Sequence, residues 1–208
     1  MAGNSIRCVG KYLYDNGICK KETLSIETAS GIKHLKLYFR NGKVSSVRVD
    51  MGRPDFSPRS LPVELPGEKI VNYPLVVNGK DYEITCLSVG NPHCVVFGKY
   101  VDRLDLEAIG PMFENHPLFP ERVNTEFVRF VNRTTLKIRV YERGNGETLA
   151  CGTGACAAVV AAVETGFCRK GDDITVKTRG GDLIVNYSDE GITLTGNAEL
   201  IYEGSVEY

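Results

Sequence analysis

The 208-residue sequence predicts an α+β fold in which antiparallel sheets pack against a small number of helices. Two observations predict this class. Many short segments alternate apolar and polar residues and are bounded by turns rich in Gly, Asn or Pro, which is typical of strands. Helical character is confined to three segments, at about residues 5–15, 104–116 and 155–165.

The strands are predicted from the turns that separate them. Residues 32–40 alternate in polarity, and an Asn-Gly-Lys turn at 41–43 leads into a second alternating segment at 44–52, as in a hairpin. The last part of the chain contains Gly-rich turns that divide it into three strands. Besides the first hairpin, strands are predicted within residues 82–90, 93–98, 125–144 and 173–204.

Residues 51–69, MGRPDFSPRSLPVELPGEK, are rich in Pro and Gly and interrupt this succession of strands. Such a composition predicts a linker between two units. A long surface loop inside one domain is the alternative interpretation.

Composition narrows the class of function. The formal net charge of −1 provides no basic surface for nucleic acid or anionic lipid, and the longest small apolar run, 155–163, is too short to span a bilayer. Seven cysteines, an odd number without a CxxC pair, do not predict a disulfide framework, so a reduced cytoplasmic location is expected. The three histidines are far apart in sequence, and no metal site is predicted.

Two segments of the chain share a pattern. Residues 2–17 and 151–166 both have Gly at the second and sixteenth positions, and both have an acidic residue two positions before the final Gly. Each begins with small or polar residues and continues as a predicted helix of equal length. The repeat predicts two related units whose helix starts face each other.

Cys151 lies at the start of the second of these helices, among glycines. The first turn of a helix has unpaired N–H groups and a positive dipole end, so it can bind a carboxylate and is expected to lower the pKa of a nearby thiol. Such a thiolate could act as a base or a nucleophile. Cysteine also packs as a small hydrophobic residue, and this interpretation is preferred for Cys8 and Cys156.

The chain resembles the diaminopimelate epimerases, a family of amino-acid epimerases that use no cofactor. The most specific motif is ERGNGETLACGTGACA, and GNPHCVVF, NTEFV and AGNSIRCVGKYLYD match further family signatures in the right order. The resemblance implies two pseudo-symmetric halves, each an antiparallel-rich sheet curled around a central helix. The substrate would lie in the cleft between them, where two cysteines remove and return its α-proton.

The resemblance also implies the residues of the site. Cys151 matches one of the two catalytic cysteines. Eight residues match positions that hold the amino and carboxylate groups of the substrate: Gly3, Asn4, Asn91, Asn124, Glu142, Arg143, Gly152 and Thr153. Each polar residue also has a structural alternative, such as a turn at Asn91 or a surface ion pair of Arg143. His93 is interpreted as a structural residue of a strand rather than as part of a Cys–His hydrolase.

Two departures from the family pattern follow. Ala2 stands where the family has its other catalytic cysteine, and Met1 falls just before the first central helix, so the first half is predicted to be incomplete. The predicted halves are residues 1–48 with 197–208, and residues 49–196.

The expected function is interconversion of LL- and meso-diaminopimelate without pyridoxal phosphate or metal. The expected partner is a small amino-acid substrate, with neither nucleic acid nor membrane, and a homodimer is considered. The alternatives are a double-bond isomerase on the same fold and, because of Ala2, an inactive relative or fragment that binds carboxylates.

Overall fold

A computed structural model describes residues 3–63, 65 and 67–205 of the chain. Within these residues the chain forms three α-helices and twelve strands, which confirms the predicted α+β class. The helices are α1 (Gly3–Asp15), α2 (Leu106–Glu114) and α3 (Gly152–Glu164). The strands are β1 (Thr23–Thr28), β2 (Gly31–Arg40), β3 (Lys43–Gly52), β4 (Ile70–Val77), β5 (Lys80–Ser88), β6 (Pro92–Phe97), β7 (Asn124–Asn132), β8 (Thr135–Glu142), β9 (Gly146–Thr148), β10 (Asp173–Thr178), β11 (Gly181–Ser188) and β12 (Gly191–Asn197).

The strands form one mixed sheet. Their order is β1-β2-β3-β12-β11-β10-β8-β7-β6-β5-β4, and β9 pairs with β8 outside this path. Most neighbours are antiparallel, while β6 with β7 and β8 with β10 are parallel. The last strand, β12, pairs with β3, so an early and a late strand of the described chain are neighbours in the sheet.

Helix α3 lies inside this sheet. It consists of small and apolar residues on all sides, and each residue from Gly152 to Ala162 is buried. A helix that is apolar all round must be covered all round, and strands β5 to β8 and β10 to β12 all contact it. The sheet therefore curls around α3. Helix α1 is amphipathic instead and packs one face against β2, β3 and β12.

A second apolar core lies on the opposite face of β5, β6 and β7, under α2. Phe113 of α2 contacts Phe127 of β7 edge to face, with ring centroids 5.4 Å apart. The next residue on β7, Val128, faces the core around α3. Because these strands are covered on both faces, each of them has five successive buried residues, although polar residues such as Thr85 and Glu126 are among them.

Strands β1 and β4 were not predicted from the sequence. They occupy the two ends of the sheet order, where a strand is paired on one side. Strand β4 contains Pro74 and has Asn72 at a φ of 50°, features that an edge strand tolerates and that obscure its pattern. Residues 173–204 contain three strands as predicted, but the last of them ends at Asn197.

The Pro- and Gly-rich segment lies against the body of the protein. Backbone hydrogen bonds join Asp55 to Ser88 in both directions, at 2.9 and 2.7 Å, and Leu61 is buried in the second core. This placement agrees with the alternative of a loop that lies on the surface of the fold. The division into residues 1–48 with 197–208 and residues 49–196 stays a prediction.

We expect Gly110→Ala to destabilise the fold by about 1–3 kcal/mol through overpacking, although alanine favours a helix by ~1 kcal/mol. A Cβ atom at Gly110 would lie 2.2 Å from Tyr141 Cδ2, which is too close for any contact. Urea unfolding measured by circular dichroism tests this. Gly98→Ala is the matched control, since its Cβ would meet nothing nearer than 3.9 Å. Equal stability of the two variants would contradict the expectation.

Candidate active site

The starts of α1 and α3 meet, as the repeated pattern predicts. A Cβ atom at Gly152 would lie 3.6 Å from Gly3 Cα and 3.2 Å from Asn4 Oδ1. Glycine at both positions therefore permits the close approach of the two helix starts. Their unpaired first-turn N–H groups consequently lie close together.

Asn4 links the two helix starts. Its Nδ2 donates to the Ala150 carbonyl oxygen at 3.2 Å, and its Oδ1 accepts from Arg7 Nη1 at 3.1 Å. Arg7 is buried and also donates to the Gly3 and Asn197 carbonyls. The first turn of α1 is thus attached both to the residue before Cys151 and to the end of β12.

A cavity of about 240 Å³ opens at this junction. Seven of the nine predicted site residues line it, together with Ser5 and Ala150, which were not predicted. The lining residues are Gly3, Asn4, Ser5, Asn91, Glu142, Ala150, Cys151, Gly152 and Thr153. A larger depression of about 450 Å³ lies beside β4, but apolar and proline side chains dominate it and none of its residues is a cysteine.

Cys151 is the N-cap residue of α3. Its Sγ accepts from the Gly154 N–H at 3.4 Å and lies 3.4 Å from the Thr153 hydroxyl. The residue is only 7% exposed, yet it lines the cavity. The thiol is therefore placed at the edge of the cleft, beside the N–H groups that could bind an anion.

Burial raises the pKa of the Cys151 thiol to about 12, and the negative charges of Glu126 and Glu142 contribute to the rise. The hydrogen bonds from Thr153 and Gly154 lower the pKa but do not compensate. The prediction that the helix start lowers this pKa is therefore wrong for this structure. Burial of the sulfur and the two nearby carboxylates raise the pKa of Cys151 by more than the two hydrogen bonds lower it.

Asn91 and Glu142 approach the same cavity from the strands. Asn91 immediately precedes β6, and Glu142 is the last residue of β8. The Glu142 carboxylate accepts a short hydrogen bond from the Thr148 hydroxyl, which fixes its orientation. A carboxylate and an amide thus lie across the cleft from the helix starts, where they could bind an ammonium group.

Asn124 and Arg143 are not among the lining residues. Asn124 is buried; its Nδ2 donates to the Pro92 carbonyl at 2.7 Å, and its Oδ1 accepts from the Arg143 backbone N–H at 3.0 Å. The Arg143 guanidinium donates to the Glu121 carbonyl. In this structure Asn124 connects the start of β6 to the turn after β8. A direct contact of either side chain with substrate stays a prediction.

Ala2, the position that departs from the family pattern, lies outside the described residues. Within residues 3–63, 65 and 67–205, no group of three or more His, Cys, Asp or Glu side chains is arranged to hold a metal ion. No helix in that part of the chain is long and apolar enough to cross a membrane.

Comparison with known proteins identifies the family. The sequence profile described as diaminopimelate epimerase matches residues 85–201. A diaminopimelate epimerase of Acetivibrio thermocellus is 49% identical over 209 aligned residues, which cover 100% of this chain and 74% of that protein. A diaminopimelate epimerase of Desulfovibrio desulfuricans is 48% identical, and the alignment covers 98% of this chain and 73% of that protein. The chain belongs to the diaminopimelate epimerase family. This confirms the prediction from the motifs, including a match to only part of the relatives' length.

Two solved structures share the fold of this chain. A probable proline racemase of Agrobacterium radiobacter K84 superposes with a TM-score of 0.71 at 16% identity and covers 95% of this chain and 65% of that one. A hydroxyproline epimerase of Agrobacterium vitis gives a TM-score of 0.70 at 17% identity, with coverage of 95% and 63%. The predicted fold class is confirmed by these neighbours.

Two buried residues of this diaminopimelate epimerase family member lie next to the lining residues: His93, which the sequence analysis interprets as structural, and Glu126, for which it makes no prediction. His93 Nδ1 lies 2.7 Å from Glu126 Oε1, and His93 Nε2 lies 3.1 Å from Asn91 Oδ1. His93 and Glu126 are both completely buried. The sequence signal for Glu126 was a charged residue within the motif NTEFV, whose five residues are all buried in β7.

We expect the free energy of unfolding to fall as the pH rises from about 9 toward 12, in part through Cys151. The thiol of the unfolded chain loses its proton near pH 9.0, whereas the folded protein keeps it to about pH 12. The unfolded state therefore binds fewer protons in this range, and stability falls by up to ~1.4 kcal/mol per pH unit for this group.

Cys151→Ser removes this contribution, so its stability should decline less steeply with pH than that of the wild type. Urea unfolding at pH 7, 9, 10 and 11 measures the difference. Cys8→Ser, at an exposed position of α1, is the control and should follow the wild type. Parallel curves for the wild type and Cys151→Ser would rule out a raised pKa.

Proposed function

We propose that this chain catalyses the epimerisation of diaminopimelate, converting the LL into the meso isomer by proton transfer at Cys151. The observation that carries the proposal is the position of Cys151 at the junction of two helix starts, in a cavity lined by Asn91 and Glu142. The family match bears out the predicted class, an isomerase that acts on an amino acid. No cofactor is part of the proposed reaction.

The α-carboxylate of the substrate would bind at the two helix starts. Gly154 N–H is used by the Cys151 sulfur, whereas the N–H groups of Gly152 and Thr153 have no partner among the described residues and are available as donors of the first turn of α3. Gly3 and Asn4 bring the start of α1 to the same point. As the α-proton leaves, negative charge develops on the carboxylate, and these fixed donors stabilise it.

The substrate ammonium would bind between Glu142 and Asn91. Its positive charge beside Glu142 offsets one of the two carboxylates that raise the pKa of Cys151. Substrate binding therefore favours loss of the thiol proton of Cys151 to the solvent, and the resulting thiolate takes the α-proton. In the reverse direction the protonated thiol returns a proton to the same face of the α-carbon.

The opposite face of the α-carbon needs a second proton carrier. The methyl side chain of Ala2 cannot exchange a proton, so a water molecule or another group of the chain must serve this face. Ala2 is also the observation that favours a second candidate function, a protein that binds the diaminopimelate carboxylate and ammonium groups without turnover. A cytoplasmic location and a homodimer stay predictions from the sequence.

We expect Cys151→Ser to abolish exchange of the diaminopimelate α-proton with deuterium from the solvent, with a loss of roughly 10²–10⁴-fold. The measurement is NMR or mass spectrometry of LL- and meso-diaminopimelate incubated with the protein in D₂O. Cys8→Ser should exchange at the wild-type rate, because Cys8 is exposed on α1 and does not line the cavity.

Calorimetry on the same samples separates the two candidate functions. Binding of diaminopimelate with exchange by the wild type supports the epimerase. Binding without exchange of either isomer supports the non-catalytic protein and contradicts the proposed catalysis. Equal exchange by the wild type and Cys151→Ser would exclude Cys151 as the proton carrier.

A further inference from the structure

Glu126 is a buried carboxylate with incomplete hydrogen bonding. It lies in β7 and is 0% exposed. Its Oε1 is 2.7 Å from His93 Nδ1, whereas Oε2 has no hydrogen-bond partner among the described residues. Burying a charged group without full pairing is destabilising by several kcal/mol in general. A residue of this kind in the middle of a strand calls for an explanation beyond packing.

The carboxylate lies directly against the first turn of α3. A Cβ atom at Gly154 would lie 2.6 Å from Glu126 Oε1 and 3.2 Å from Cys151 Cβ. Only glycine at this position leaves room for the carboxylate and the cysteine side chain to lie side by side. The Glu126 carboxylate therefore lies close to the Cys151 side chain through a gap in the helix surface, and both residues are buried, where charges interact more strongly than in water.

Two features lie against the Glu126 carboxylate. The start of α3 lies beside it, and His93 Nδ1 is 2.7 Å from its Oε1. His93 contacts Asn91 on its other side, and Asn91 lines the cavity. A continuous chain of contacts thus connects the cavity to Glu126 and returns to Cys151.

We propose that Glu126 is a positioning residue that acts through Cys151: together with the burial of the sulfur, its charge keeps Cys151 a protonated thiol in the substrate-free protein. In the free enzyme Cys151 is then the proton donor of the site rather than a reactive thiolate. The use of this state in catalysis rests on the proposed function, whereas the protonation of the free thiol does not.

The electrostatic surroundings of Cys151 agree with this assignment. After burial, the charge of Glu126 is the largest cause of the raised pKa of Cys151, ahead of that of Glu142 on β8. The other titratable groups that face these residues are His93 and Cys94 on β6 and Cys156 on α3. A substrate ammonium bound beside Glu142 neutralises the charge of Glu142. It does not directly neutralise that of Glu126.

The experiment measures the thiolate fraction of Cys151 by its rate of alkylation with iodoacetamide, between pH 7 and pH 10. Fragmentation of the tryptic peptide 144–169 in the mass spectrometer assigns modification to Cys151, Cys156 or Cys168 separately. Cys156 is completely buried one turn further along α3, so it reports any opening of the fold. The variants are Glu126→Gln, which removes the charge and keeps the shape, and Glu126→Asp, which keeps the charge.

We expect Glu126→Gln to alkylate Cys151 at pH 8 at least ~10-fold faster than the wild type, since the thiolate fraction rises tenfold for each unit by which the pKa falls. Glu126→Asp should stay within about threefold of the wild type because the charge is kept. Cys156 should remain unmodified in all three proteins. In the wild type, the Cys151 rate should continue to rise tenfold per pH unit up to pH 10.

Three results would overturn the proposal: an unchanged Cys151 rate in Glu126→Gln, an equal acceleration in Glu126→Asp, or a wild-type rate that levels off below pH 9. If Glu126→Gln exposes Cys156, Glu126→Ala is the second neutral variant, and the wild-type pH profile decides independently of both. The alkylation assay uses no substrate, so it tests the role of Glu126 independently of the proposed function. A protein that exchanges the α-proton can still contradict the role of Glu126, and a protein without exchange can still support it.

Discussion

The close approach of two glycine-containing helix starts is the constraint on which the rest of the site depends. Gly3 and Gly152 lie so near each other that a side chain on Gly152 would contact the neighbouring helix. The approach is possible because α3 is enclosed by the sheet while α1 packs on the same sheet from the β2, β3 and β12 side. Cavity, anion site and cysteine all result from this one junction.

The features that repeat along the chain could be predicted from its sequence. Alternation and Gly-rich turns predicted most of the strands, and the shared pattern of residues 2–17 and 151–166 predicted the meeting of the helix starts. Helix α3 was expected to begin near residue 155, three positions late, because Gly152 and Gly154 are poor helix formers. Tertiary packing overrides that preference, since only small residues fit where the helices meet.

Features that depend on distant neighbours could not be predicted. In the edge strand β4, Pro74 and the positive φ of Asn72 interrupt the pattern, whereas β1, TLSIET, alternates in polarity and was nevertheless not predicted. The pKa of Cys151 was predicted in the wrong direction, since the sequence around the helix start contains no sign of the carboxylate that β7 brings beside it. Asn124 was placed in the site by resemblance, yet its described side-chain hydrogen bonds connect the backbone of Pro92 to that of Arg143.

The pairing of β12 with β3 joins residues far apart in the chain, such as Arg48 and Thr193, which are 145 positions apart. During synthesis the N-terminal hairpin leaves the ribosome long before its partner strand is translated. Until β12 has been translated, the apolar face of the hairpin and α1 lack the strand that packs beside them. Long-range pairing of this kind forms slowly. The junction of the helix starts is therefore completed at a late stage of translation, and the nascent chain is exposed to wrong pairing partners until then.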